Sequence, residues 1–174
     1  MSTLYIIPTP IGNLADVTHR AVEYLKHADQ IACEDTRTSK VLLNHYGIDK
    51  PLLSFHQHNE HRRVNHLISL IKSGVNLALI TDAGMPGISD PGFLLIRKAH
   101  QEGLKVVTLP GPDAATTALV ASGLPSDRYI FEGFLPQKKG RKTRIARFND
   151  EERTIILYES PHRIVKLINE LHDY

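Results

Sequence analysis

The chain has 174 residues, of which 41% are apolar and 6% aromatic, and a formal net charge of +2 at pH 7. That length holds one ordinary domain, or one and part of a second, and the small net charge excludes a chain that is basic throughout. No apolar run approaches the ~20 residues of a membrane span, Met1-Ser2-Thr3 runs into a strand with no signal peptide expected, and the lone Cys33 excludes an intrachain disulfide and fits a cytoplasmic setting.

Residues 4–7 read as a short apolar strand, left through Pro8-Thr9-Pro10-Ile11-Gly12-Asn13. Asp16 is placed to cap a helix to about residue 26, with Val17, Ala21, Val22 and Leu25 on one face. Residues 30–33 form a second strand with the polar exit Glu34-Asp35-Thr36-Arg37, and a helix over 38–46 stops at Gly47. Residues 52–55 are a third strand, followed by an exit loop over 56–60 and a helix to Lys72. Residues 75–80 are almost all apolar, as in a strand buried on both faces of a parallel sheet. Its exit, Thr81-Asp82-Ala83-Gly84-Met85-Pro86-Gly87, is long, stiff and polar. Asp90-Pro91 then reads as an N-cap and first helical residue, with a helix to Glu102. A fifth strand spans 105–109.

Strand and helix alternate five times over short connections, which predicts an α/β fold: a mostly parallel sheet with helices on both faces. Pro110-Gly111-Pro112 breaks this rhythm. We place a domain boundary there, giving an N-terminal domain over 1–112 and a C-terminal α/β domain over 113–174. The second comprises a small-residue helix (113–122), a strand (129–134), a basic helix (140–149), a strand (154–158) and a last helix (161–172). Two strands make a marginal sheet, so this domain reads as incomplete or completed by a partner.

Motifs for several chemistries are missing. No G-x-G-x-x-G follows the first strand, and neither G-x-x-x-x-G-K-[ST] nor G-x-S-x-G occurs. The exits at Thr9-Pro10, Glu34 to Arg37, Thr81 to Gly84 and Pro110 to Asp113 all fall at carboxyl ends of strands, where open parallel sheets bind ligands. Their Pro and Gly residues suit a neutral or zwitterionic nucleoside better than a pyrophosphate. Lys138, Lys139, Arg141, Lys142, Arg144 and Arg147 form a run of six cations without an acid, either a phosphate-backbone footprint or a solvated basic face. His56, His58 and His61 read as loop histidines, and no metal site is expected. In Glu159-Ser160-Pro161-His162-Arg163, Ser160 reads as an N-cap with Pro161 first in the helix.

Taken together, Pro8 to Asp16, Glu34 to Arg37, Asp82 to Pro86 with Ile88 to Gly92, Leu109 to Pro112, Gly133 to Pro136 and Tyr158 to Arg163 resemble a known family. It is that of bacterial small-subunit ribosomal RNA 2′-O-ribose methyltransferases, within the tetrapyrrole-methylase-like superfamily. The resemblance implies the two-domain fold of that superfamily and S-adenosylmethionine as methyl donor. It implies a cytidine 2′-hydroxyl in the decoding region of 16S rRNA as acceptor, within RNA or the small ribosomal subunit, and a homodimer. Its cofactor contacts fall on Pro10, Asp82, Ala83, Met85, Asp113, Ala114 and Tyr158. Chains of that family continue beyond the equivalent of Tyr174 with further strands.

For such a transfer, Glu34, Asp35 and Glu159 are candidate bases at strand ends, Glu34 first, with Arg37 and Arg163 to hold phosphate or orient a carboxylate. Lys138, Lys139, Arg141, Lys142 and Arg144 are the expected RNA contacts with Arg163. Two rivals are methylation of a small tetrapyrrole-like molecule and a non-catalytic RNA-binding or assembly module.

Overall fold

In the computed structural model, which describes residues 2–173, five parallel strands form one sheet in the order β3-β2-β4-β1-β5. They are β1 (Thr3–Ile6), β2 (Gln30–Cys33), β3 (Leu52–Ser54), β4 (Leu77–Leu79) and β5 (Lys105–Thr108). Met1 and Tyr174, the outer limits of the two expected domains, lie outside the described residues. The chain divides into two compact units, Met1–Asp113 and Ala114–Tyr174.

In the first unit, successive strand side chains alternate between two cores. Leu4, Ile6, Ala32, Leu77 and Leu79 pack beneath α3 (Glu60–Lys72) and α4 (Phe93–Gln101). Ile7, Ile31, Cys33, Ala78 and Ile80 pack beneath α1 (His19–His27) and α2 (Thr36–His45). The period of two makes each short strand apolar on both faces, and so legible as an unbroken apolar run. β1 and β2 leave the sheet toward the α1/α2 face, whereas β4, lying between them, leaves toward α3/α4. The β4 exit therefore diverges from both neighbours, opening a crevice at the carboxyl ends.

Several helix starts differ from the sequence expectation. Asp16 ends a single 3-10 turn, and the Thr18 hydroxyl caps α1 by accepting from the Ala21 N–H at 3.0 Å. Asp35 caps α2, accepting from the Arg37 N–H at 2.8 Å, so that helix begins two residues early. Asp90-Pro91 does not start α4. The helix begins at Phe93, and its first amides are capped from another helix: Glu60 Oε1 accepts from Gly92 N at 3.0 Å and Leu94 N at 3.2 Å. β4 is shorter than 75–80 because Asn76 is tied to Asp29 and Thr3 instead.

The second unit holds α5 (Ala114–Ser122), β6 (Tyr129–Phe134), α6 (Arg141–Ala146), β7 (Thr154–Tyr158) and α7 (Ile164–His172). β6 and β7 pair in parallel, with a register shift between Phe131 and Gly133. Ala115 and Leu119 pack with Ile156, while Ile145 and Leu167 pack with Leu135. Ser160-Pro161 does not start α7. The Ser160 carbonyl accepts from the Arg163 N–H at 2.9 Å and its hydroxyl from the His162 N–H at 3.3 Å, closing a turn, and the helix begins at Ile164.

Candidate active site

The exits of β1, β2 and β4 are stitched together. Thr9 and Gly84 exchange backbone hydrogen bonds of 3.0 and 2.9 Å, and the Thr9 hydroxyl donates to the Thr81 carbonyl at 2.9 Å in a buried setting. The Asp35 N–H donates to Asp82 Oδ1 at 3.1 Å. The β5 exit lies against the same loops. A Cβ added at Gly111 would stand 2.8 Å from Pro8 Cγ, and one at Gly84 would stand 4.0 Å from the Pro112 carbonyl oxygen. Gly111 thus has no room for a side chain, and the Pro8 and Pro110-Gly111-Pro112 turns lock by contact.

Between these exits and α2 lies a cavity of about 460 Å³, within the usual range for small-molecule sites. Leu14, Val41, Leu42 and Ile80 give it apolar walls, and Thr9, Thr38, Asn13 and Asp82 add polar groups. Ser39 and Thr81 also line it; both are buried, and neither hydroxyl reaches a hydrogen-bond partner in the protein. The Thr81 hydroxyl stays near Asp90, and that of Ser39 near the Cys33 thiol, without closing a bond. Unpaired buried hydroxyls cost stability, and both belong to residues that line this cavity.

The acids at this rim crowd one another. Burial pushes the Glu34 carboxyl up from its ordinary value, and the Asp90 and Asp82 carboxylates push it further. Burial raises Asp82 and Asp90 as well. Asp35 behaves oppositely: the Arg37 guanidinium, donating from Nη2 at 2.6 Å, holds it at about 2. Glu34 is thus a carboxyl tuned upward, as a general base needs.

Of the residues expected to touch a cofactor, Pro10, Asp82 and Ala83 line the cavity. Met85 does not: its side chain packs into the core beneath α3 and α4, on the sheet's other face. Asp113 ends the first unit, and Ala114 begins the second. Tyr158 belongs to the second unit, its ring edge-on to Phe131 and Phe134 at 5.0 and 5.5 Å. Arg37 is 89% exposed and already bonded to Asp35.

The second unit corrects two more assignments. Arg141 is not on the basic surface; it is 8% exposed, with Nε 2.7 Å from Glu170 and Nη2 3.7 Å from Glu159, and it donates to the Pro136 carbonyl. Glu159 accepts from Ser160 N–H and from Arg163 at 2.8 Å, and these bonds hold its carboxyl below the ordinary value. A carboxylate so satisfied is a weak base. Arg144 is paired with Glu132 at 2.7 Å, whereas Lys138, Lys139, Lys142 and Arg147 point outward without an ion pair among the described residues.

Sequence reasoning missed Ser39. Its signal was a small polar residue in register with Leu42 and Leu43 on the inward stripe of α2.

The family model for tetrapyrrole (corrin/porphyrin) methylases matches residues 3–174. The chain belongs to that family. It is 53% identical over 169 residues to a Haemophilus influenzae protein named ribosomal RNA small subunit methyltransferase I, covering 97% of this chain and 60% of that protein. A Thermotoga maritima protein of the same name is 45% identical, with 98% and 77% covered. The chain spans about 60% of the length of most curated relatives it matches. Among solved structures, diphthine synthase superposes with TM-score 0.72 at 16% identity, covering 99% of this chain and 73% of that one. The cobalamin-biosynthetic cobalt precorrin-4 methyltransferase gives 0.64 at 19%, with 98% and 74% covered. These two share the fold of this family member.

Proposed function

We propose that this protein transfers a methyl group from S-adenosylmethionine to small-subunit ribosomal RNA, at the 2′-hydroxyl of a cytidine in the decoding region of 16S rRNA. The observation that supports this reading is the cavity at the diverging β4 exit, with two unsatisfied buried hydroxyls beside it and Asp82 in its wall. The relatives' printed name, at about half identity over nearly the whole chain, supplies the substrate class.

The lining suits an adenosyl sulfonium. Leu14, Val41, Leu42 and Ile80 offer apolar contact, the Ser39 and Thr81 hydroxyls offer hydrogen bonds, and Asp82 offers a negative charge to a cationic ligand. Bound there, S-adenosylmethionine would supply an electrophilic methyl group. The protein's part is orientation and proton removal. Glu34 takes the proton of the 2′-hydroxyl, an assistance worth about 10²–10⁴-fold. Asp90 and Asp82 keep it basic enough to do so. Pro10 and Ala83 hold the cavity wall. Lys138, Lys139 and Lys142 meet the RNA backbone, and the active form is a homodimer in the cytoplasm.

The test is methyl transfer from labelled cofactor to purified small ribosomal subunits, followed by mapping of the modified nucleotide. Label on a decoding-region cytidine ribose supports the reading; label confined to protein or absent from RNA overturns it.

A further inference from the structure

A second cavity in the first unit, of about 340 Å³, runs between α3 and α4. Its floor is Val64 and Leu94, and its walls are His61, Arg97, Lys98 and Gln101. Leu94, Arg97, Lys98 and Gln101 recur at three- and four-residue steps, so one face of α4 supplies a continuous wall about 10 Å long.

Charge collects here. α3 and α4 with the residue capping α4 carry Arg62, Arg63, Lys72, Arg97 and Lys98 against only Glu60 and Glu102. Of these cations Arg97 and Lys98 line the groove, Arg97 without an ion pair among the described residues and Lys98 shared with Glu102. Moreover, neither carboxylate faces the groove freely. Glu60 is buried and turned onto the α4 amides. Glu102 is held between Lys72 at 2.7 Å and Lys98 at 2.6 Å. Arg62, Arg63 and Arg97 make no ion pair among the described residues.

The groove also starts in a telling place. α3 follows the β3 exit and α4 follows the β4 exit, so both helices begin at the carboxyl-end rim where the active-site cavity opens. Glu60 ties the two beginnings together.

We infer that the α3/α4 groove is a docking track for RNA, taking the sugar–phosphate backbone of nucleotides that flank the methylated one. Arg97 and Lys98 contact phosphates, Gln101 and His61 offer hydrogen bonds to phosphate or ribose oxygens, and Val64 and Leu94 pack under a ribose. Complementary charge favours a polyanion, and the partly apolar floor suits single-stranded RNA splayed away from a helix. This inference rests on the RNA-methylation reading above, but it assigns a surface on the opposite sheet face from the cavity, separate from the lysines of the second unit.

The test is binding of a labelled single-stranded oligoribonucleotide of decoding-region sequence, as a function of salt, to the wild-type chain and to the Arg97→Ala/Lys98→Ala double variant. Both side chains lie on the helix surface, and circular dichroism checks the fold. The expected result is about tenfold weaker RNA binding and a salt slope shallower by about 1.4, the loss of two single-strand phosphate contacts, with unchanged S-adenosylmethionine affinity. If wild type binds the RNA and the double variant matches it in affinity and slope, the groove is not an RNA track, while the methylation reading stands. If wild type binds no RNA at all, this inference falls, while the methylation reading is decided by transfer to small ribosomal subunits. A groove built for an acidic protein would instead show poly-glutamate binding lost in the variant with the RNA slope unchanged, which also overturns the RNA assignment.

Discussion

Thr9 and Gly84 exchange two backbone hydrogen bonds across 75 positions of sequence, at 3.0 and 2.9 Å, and so fasten the exit of β1 to that of β4. The Thr9 side chain reinforces the link by donating to the Thr81 carbonyl. Replacing Thr9 by Val keeps the shape and removes that donor, leaving a buried carbonyl short of a partner. The expected loss is about 1–3 kcal/mol of stability in urea unfolding, together with weaker cofactor binding. Wild-type stability would show that the side-chain bond is dispensable.

Glu60 sets the other end of the β4 exit loop. In Glu60→Ala, the amides of Gly92 and Leu94 lose their acceptor inside the protein, at a cost of about 1–3 kcal/mol. Glu60→Gln retains an oxygen at that place and should recover most of the loss. Equal destabilisation in both variants would point to the charge rather than the hydrogen bonds.

The crowding of Glu34, Asp82 and Asp90 carries a pH dependence. A base works ionised, so a raised Glu34 pKa puts the acid limb of the rate profile above the ordinary glutamate value of about 4.3. Asp90→Asn removes a neighbouring negative charge, makes ionisation easier, and should move that limb to lower pH. Stability responds in the same variant. A carboxyl raised in the folded state favours folding while protonated, and that advantage disappears as pH rises through its raised value. Asp90→Asn should therefore raise Tm at neutral pH. A limb that stays put would remove Glu34 from the role of base.

Arg141 and Lys142 adjoin in sequence and differ in function. Arg141→Ala takes the guanidinium from Glu170 and the Pro136 carbonyl, while Glu159 keeps the Ser160 N–H and Arg163, and should cost about 1–3 kcal/mol in the second unit, read by hydrogen exchange of β6 and β7. Lys142→Ala should change stability by less than about 0.5 kcal/mol and weaken RNA binding instead. The reverse pattern would return Arg141 to the RNA surface.

The strands were legible because each is apolar on both faces, and the exits because Pro and Gly punctuate them. Helix starts depart from the local reading where a nearby residue takes the cap, as Thr18 and Asp35 do, or where another helix supplies it, as at α4. Asp90-Pro91 has the local chemistry of a cap, but Glu60 from α3 holds the α4 amides; the Ser160 hydroxyl accepts from the His162 N–H in a turn that precedes α7. Arg141 looked like its cationic neighbours because a sequence shows charge without showing Glu170, its partner 29 residues on. Pro10, Asp82 and Ala83, which line the cavity, announce themselves as loop residues. Ser39 was hidden inside a helix, and Met85 was overassigned because position in a loop does not say which face of the sheet a side chain takes.

The most direct measurement is calorimetric titration of S-adenosylmethionine into wild type and Thr81→Val, paired with the Tm of each. The Thr81 hydroxyl is buried without a partner in the protein. Its removal should leave Tm unchanged or raised, since an unsatisfied buried group is lost. Cofactor affinity should fall by about tenfold, the worth of roughly one hydrogen bond. Equal affinity in the two proteins, or no binding to wild type, would contradict the assignment of this cavity.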